Sequence, residues 1–137
     1  MYALTLYQPW AWAIARAGKD VENRTWPPPK WLIGQRLAIH AGKGWDESWN
    51  FWADHDENDP LYECGAGIVA VVTVVGVITM GARPWFDGTG PYGWVLADMV
   101  PVDPPIPCRG RQRLWQLPPE VLAELEKRGM TRVSDAR

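Results

Sequence analysis

The sequence lacks any hydrophobic stretch long enough to cross a membrane as a helix. About 20 apolar residues are needed for such a span. The longest apolar run, AGIVAVVTVVGVITM at residues 66–80, is shorter, rich in Val and interrupted by Thr and Gly. The first residues, MYALTLYQPW, also lack the basic region and apolar block of a secretory signal. These absences argue against a membrane protein, and we expect a cytoplasmic location.

Cysteine and histidine are scarce, with two of each in 137 residues. Cys64 and Cys108 do not form a CxxC pair, so the spacing of a zinc knuckle is absent. Two cysteines permit one disulfide, but two ordinary thiols are the expectation in a reducing compartment. No Ser-His-Asp set, Cys-His nucleophile or metal cluster can be identified, so we expect no metal and no other cofactor.

Strong charge of either sign is absent as well, since the formal net charge is −2. That balance conceals a local difference. The segment 46–63 contains seven acidic residues and no Lys or Arg, and the rest of the chain carries 14 basic against 9 acidic residues. Most of the molecule is therefore mildly basic, which keeps a nucleic-acid ligand open. Ten tryptophans are present, and because indole rings stack on bases we expect two or three to line a concave surface.

Hydrophobic patterns predict several short strands, and proline and glycine mark the corners between them. The strongest strand pattern is at 67–80, where Gly76 is a candidate bulge. In the strand at 35–42, Leu37 and Ile39 share one face while Ala38 and His40 share the other. The predicted strands are 2–7, 20–26, 35–42, 67–80, 92–102 and 113–118, with 103–112 as an irregular link.

Three helices are predicted beside these strands. The first begins after Pro9 and ends at Gly18, a natural helix stop. The second is an inserted acidic helix at about 45–63, indicated by the helical spacing of Trp45, Trp49 and Trp52. The third is a C-terminal amphipathic helix at about 119–128. Because helices do not alternate with strands, we expect residues 1–137 to form a single α+β domain built on a small mixed β-barrel.

Two stretches of the chain resemble the ASCH domain family. LTLYQPWAWAIARAGKDVENRTW, residues 4–26, is similar to the opening of these domains: a strand, a Gln-Pro-Trp-like helix start and a Gly-Lys-x-x-Glu-x-Arg signature. GPYGWVLADMVPVDPPIPCRGRQRLWQLP, residues 90–118, resembles members in which an aromatic strand precedes a proline-rich link and a G-x-Q-x-L-W strand. The resemblance covers most of the chain, from Met1 to about Pro118.

The resemblance implies a PUA-like β-barrel, related to domains that hold RNA or single modified bases. It also implies a cleft beside the exit of the first helix, lined by Lys19, Glu22 and Arg24 of the signature, with Trp10 nearby. Some relatives look like amidohydrolases of N4-acylated cytidine, and others like ribonucleases. In the amidohydrolase-like members the third signature position is usually Thr, whereas this chain has Glu22, so it departs from that subgroup.

The residue types of the signature suit a binding site. Arg24 offers a planar fork for a phosphate, a carboxylate or a base edge. Glu22 can accept from an exocyclic amine or hold Arg24, and Lys19 can contact a phosphate or, in an enzyme, transfer protons with Glu22. A surface ion pair and a helix-dipole contact would explain the same residues without a ligand.

Four further residues are candidate ligand contacts. His40 follows an apolar strand pattern, where a packed histidine is the more common outcome, and Lys43 lies in a glycine-flanked loop without P-loop spacing. Tyr92 and Trp94 alternate with Gly93 and share a strand face, where they would either stack a base or pack in the core.

Arg109, Arg111 and Arg113 alternate with Gly110 and Gln112. On an extended segment they would project to one side and could follow a phosphate backbone. The alternative is a charged edge that resists aggregation.

Three functions are therefore compared. The first is a module that binds RNA, other single-stranded nucleic acid or a modified nucleoside, and we favour it. The second is a metal-independent hydrolase that uses the same cleft on RNA or an acylated nucleoside. The third is a protein-interaction module that works through the acidic segment.

Overall fold

The structure is a computed structural model that describes residues 1–47, 57–88 and 90–132. Within those residues the chain forms six strands, three α-helices and one 3₁₀ turn at Lys30–Leu32. The strands are β1 (Tyr2–Gln8), β2 (Val21–Arg24), β3 (Arg36–Trp45), β4 (Gly67–Ile78), β5 (Tyr92–Pro107) and β6 (Leu114–Gln116). The helices are α1 (Trp10–Arg16), α2 (Pro60–Glu63) and α3 (Pro119–Lys127).

All six described strands belong to one mixed sheet in the order β2-β5-β4-β3-β1-β6. The β1–β3 pair is parallel, and the other pairs are antiparallel. The α+β class is as predicted, but the predicted β-barrel does not close, because β2 and β6 are edges of the described sheet. The physical reason is the length of β6, which pairs with β1 only from Tyr2 to Leu4. From Thr5 onward, no described strand pairs with β1 on that side.

The turn after α1 directs the chain back toward this opening. Gly18 adopts a positive φ of 76°, which glycine accepts without steric penalty. The backbone N–H of Lys19 then donates to the carbonyl of Ala13 at 3.1 Å. The helix stop predicted at Gly18 therefore sets the direction from which Lys19 and β2 approach the sheet.

The sheet has a buried apolar cluster on each face. Leu37 and Ile39 of β3 pack with α1 in one cluster, while Ala38 packs toward α3 in the other. This alternation was predicted from the sequence. Each fully buried aliphatic side chain contributes roughly 1.5–3 kcal/mol, so the clusters hold the central strands rigidly behind the opening.

Two element predictions require correction. Strand β5 continues to Pro107, through part of the link predicted as irregular, because Ile106 pairs with Ile68 of β4. Register shifts in the β4–β5 ladder, one of them at Gly76, allow two curved strands to stay paired. The predicted start of the acidic helix is also wrong, since Trp45 ends strand β3. Residues 48–56, which are nine of the nineteen residues of that predicted helix, lie outside the described part of the chain.

The helices at the two ends of the chain lie where the sequence indicated. Helix α1 spans Trp10–Arg16 and helix α3 spans Pro119–Lys127. Each of the described helices is too short or too polar to span a bilayer.

Candidate functional site

A cleft of about 1290 Å³ lies at the opening of the sheet. We call it the main cleft. Its residues come from the end of β1, the start of α1, Lys19 and strand β2 with the two residues after it, the end of β3 with Asp46, the loop 84–87 and residues 111–113. The cleft exists because β2 and the end of β1 approach each other without forming a backbone ladder.

The three signature residues form one connected network in this cleft. The ammonium of Lys19 donates to the carbonyl of Val21 and lies 3.2 Å from Glu22 Oε1. The other carboxylate oxygen, Glu22 Oε2, accepts from Arg24 Nε at 3.0 Å. Lys19 is 5% exposed and Glu22 is 8% exposed. One buried carboxylate is thus held between two cations, and a surface pair does not describe this arrangement.

Arg24 also ties the two sides of the opening together. Its Nη2 donates to the backbone carbonyl of Thr5 at 2.9 Å. Thr5 lies just beyond the last β1 residue that pairs with β6, so the guanidinium contacts β1 where that ladder has ended. Two of the five N–H donors of an arginine are then engaged, and the side chain keeps donors for a ligand.

Aromatic side chains line the walls of the main cleft. Trp10 stands on one side, where its indole donates to Asp46 Oδ2 at 2.8 Å. Trp85 and Phe86 come from the loop 84–87, and the carbonyl of Trp85 accepts from Asn23 Nδ2 at 2.9 Å. Tyr7 is 65% exposed at the rim. Aromatic faces beside a basic floor are suited to stacking an unpaired base.

Four of these contributors were missed by the sequence analysis as individual residues: Tyr7, Trp26, Trp85 and Phe86. Trp26 belongs to the predicted strand 20–26 but was not chosen as a ligand contact. The only available signal was the excess of tryptophan, which predicted aromatic residues on a concave surface without saying which ones.

A second pocket of about 650 Å³ adjoins the main cleft. The residues that line both are Thr5, Gly42, Lys43, Arg111 and Gln112. The second pocket adds His40, Cys108, Arg109 and Gly110 from β3 and from the chain that follows β5. The two concavities therefore form one continuous surface.

His40 lies at the base of the second pocket and is 1% exposed. Its Nε2 is 2.6 Å from the carbonyl oxygen of Cys108. Because a carbonyl only accepts, the proton of the neutral ring is on Nε2, and Nδ1 is a buried acceptor without a hydrogen-bond partner. Burial lowers the pKa of His40 below 6.5, although the Cys108 carbonyl opposes that shift. His40 is accordingly a neutral, packed side chain, also held by edge contact with Trp115 at 5.4 Å.

Residues 109–113, which we call the arginine loop, do not form the extended ladder that alternation predicted. None of the five belongs to a strand, and Arg113 has a φ of 60°. Arg113 stacks on the Trp26 ring at 4.8 Å in the main cleft, whereas Arg109 lies in the second pocket. Arg111 lines both. The three guanidinium groups are therefore distributed over the joined surface and do not follow one edge.

Of the two roles left open for the β5 aromatic pair, base stacking or core packing, Trp94 has the core role. Trp94 is 0% exposed, its indole donates to the Trp26 carbonyl at 2.9 Å, and its ring meets Trp26 edge-on. It supports the cleft wall from the core. Tyr92 is partly buried against the same core and is not among the residues that line either pocket.

The cysteines give no sign of a nucleophile. Both are free thiols. The pKa of Cys64 is raised by burial, and that of Cys108 is raised by burial and by Glu120. Both shifts favour the neutral thiol, which is the unreactive form. Among residues 1–47, 57–88 and 90–132, no group of three His, Cys, Asp or Glu side chains is arranged to hold a metal ion.

Comparison with known proteins supports the assignment of the fold. The sequence model of the ASCH domain matches residues 4–92. A crystal structure of an ASCH protein from Zymomonas mobilis is similar with a TM-score of 0.57 and 17% identity, and the match covers 92% of this chain and 93% of that one. A mutant form of the Zymomonas mobilis protein gives a TM-score of 0.56 and 17% identity, with coverage of 92% and 96%. No curated protein sequence matches the chain.

The fold and the cleft define a small α+β domain with a basic, aromatic-lined opening in a mixed sheet. Since the family model spans more than half of the sequence, the chain belongs to the ASCH domain family.

Proposed function

We propose that the main cleft binds an unpaired base of RNA or a modified nucleoside. The observation that carries this proposal is the buried Lys19–Glu22–Arg24 network at the floor of an aromatic-lined cleft. The ASCH family is generally thought to bind RNA, which supports the same class of ligand.

The network provides hydrogen-bond donors at fixed positions. Both oxygens of Glu22 already have cationic partners, so Glu22 orients Lys19 and Arg24 and keeps lone pairs for an exocyclic amine. The unused donors of Arg24 suit carbonyl or phosphate oxygens. Stacking on aromatic side chains adds roughly 1–3 kcal/mol per base, so polar and aromatic contacts favour the same ligand.

The charge distribution attracts an anionic chain to this side of the molecule. The main cleft and second pocket together carry six basic and three acidic side chains. The other described residues of the chain include seven basic and ten acidic side chains. The joined concavity is therefore a basic region on an otherwise acidic protein, and such a region focuses anionic ligands.

Calorimetry with short single-stranded RNAs and a panel of free nucleosides, including N4-acylated cytidines, tests the proposal. Lys19→Met retains side-chain volume and leaves Glu22 paired with Arg24, and we expect it to weaken binding at least about tenfold. Lys127→Met is the matched control, because Lys127 is exposed on α3 and lines neither pocket. Native affinity in a folded Lys19→Met protein would refute the role of the network.

Hydrolysis in the same cleft is the second candidate function. The specific observation in its favour is the contact of Lys19 with Glu22, since a paired amine and carboxylate can transfer protons. Mass spectrometry of the same incubations distinguishes the two functions. A product that forms with the native protein and is lost with Lys19→Met would establish an enzyme, whereas binding without product would support a binding module.

A further inference from the structure

The second pocket contains three basic side chains whose charges the protein does not neutralise. Lys43, Arg109 and Arg111 are exposed and line this pocket. Within the described part of the chain, none of them forms an ion pair with a carboxylate. Among the described residues that line the pocket, none is acidic. A cluster of this kind gains little from folding, and it has the chemistry of an anion site.

The base of this pocket is shaped by a close contact between His40 and Gly110. A Cβ on Gly110 would come within 2.5 Å of His40 Cε1 and 2.8 Å of Nδ1. The Cys108 carbonyl, just before the arginine loop, is hydrogen bonded to the same histidine ring. The His40 ring therefore contacts the backbone of the loop that bears Arg109 and Arg111 and fixes the position of that loop.

We propose that the second pocket is a phosphate subsite, formed by Lys43, Arg109 and Arg111 and positioned by His40. This inference rests on the proposed function, because the phosphate belongs to the ligand whose base occupies the main cleft. Lys43 and Arg111 line both concavities, so a phosphate next to the bound base reaches the second pocket without leaving the surface. The preferred ligand is then a nucleotide or an RNA strand, and a free nucleoside is a weaker ligand.

The test compares one base in four forms by calorimetry: the nucleoside, its 5′-monophosphate, its 3′-monophosphate and a dinucleoside monophosphate. We expect at least one phosphate-bearing form to bind the native protein about tenfold more tightly than the nucleoside. In Arg109→Gln the ratio of nucleotide to nucleoside affinity falls toward one. In Lys127→Gln, a matched loss of one exposed charge outside both pockets, the ratio is retained.

The arms of the test distinguish the source of the phosphate and the cause of a failure. If a monophosphate binds more tightly than the nucleoside, the subsite accepts a terminal phosphate. If only the dinucleoside monophosphate binds more tightly, the subsite accepts an internal phosphodiester. Equal affinity for all four forms would overturn the phosphate subsite while the proposed function stands. A ratio that Arg109→Gln leaves unchanged would overturn it too. No binding of any form would overturn both proposals.

Gly110→Ala tests the positioning role of His40 without removing a charge. The added methyl must displace the arginine loop from the histidine ring, so we expect the affinity ratio to fall in a folded protein. Gly76→Ala is the control, because a Cβ at Gly76 meets no atom within 4 Å. A native ratio in Gly110→Ala would show that the loop does not depend on this contact.

Discussion

The two parts of the basic concavity hold their charges in different ways. In the main cleft, Lys19 and Arg24 share the buried carboxylate of Glu22. In the second pocket, Arg109 and Lys43 are exposed and have no carboxylate partner in the described structure. Lys19 and Arg24 are therefore part of the folded core and are held in position for specific contacts with a ligand. The charges of the second pocket are exposed to solvent, so salt modulates their attraction for an anionic ligand.

The largest expected effect comes from breaking the buried network. Glu22→Gln keeps the shape of the side chain but leaves Lys19 without its carboxylate, and loss of one partner of a buried pair costs about 3 kcal/mol or more. We expect the free energy of unfolding, measured in urea, to fall by about that amount. Glu126→Gln, an exposed carboxylate on α3, is the control and should change it by less than about 0.5 kcal/mol. Equal stability of the two variants would mean that the network does not support the fold.

An intermediate effect is expected in the salt dependence of RNA binding. For single strands, each neutralised phosphate contributes about 0.7 to the slope of log K against log salt. Arg109→Gln with Arg111→Gln should reduce that slope by up to about 1.4 and leave the free energy of unfolding nearly native, because exposed charges contribute little to folding. If the double variant has the same slope as the native protein, the exposed arginines of the second pocket do not neutralise phosphates of the bound RNA.

The smallest effect is a pH dependence of stability that arises from His40. Its folded-state pKa lies below 6.5 because of burial. As the pH falls below 6.5 the unfolded chain takes up the proton first, so stability that is present above 6.5 is lost. His40→Gln retains a donor for the Cys108 carbonyl and lacks this titration. The stability advantage of the native protein over His40→Gln should therefore shrink between about pH 7.5 and about pH 5. A constant difference would exclude a buried neutral histidine.

Local features of the site could be predicted from the sequence because they depend on neighbours along the chain. A glycine stop followed by an alternating strand places Lys19, Glu22 and Arg24 close together, and the structure has them in one network. The alternation of β3 separated Leu37 from Ala38 in the same way. Patterns with periods of 2 and 3.6 residues carry this information.

Long-range features could not be predicted in the same way. Alternation indicates which residues share a face, but the burial of Trp94 depends on what covers that face, here Trp26. The positive φ of Arg113 breaks an apparent strand and has no signal in a non-glycine residue. The opening of the sheet depends on where the β6 ladder ends, opposite Leu4. Each of these facts is a property of tertiary packing.

The most direct test of the main cleft as a binding site is an NMR titration of the indole N–H signals. Trp10 and Trp85 line the cleft, whereas Trp31 is 53% exposed and lines neither pocket. Signals would be assigned by single Trp→Phe substitutions, and a short single-stranded RNA would be added to the isotope-labelled native protein. We predict that the Trp10 and Trp85 signals shift with saturation while the Trp31 signal stays in place. A saturable shift of Trp31 alone, with Trp10 and Trp85 unmoved, would contradict the account.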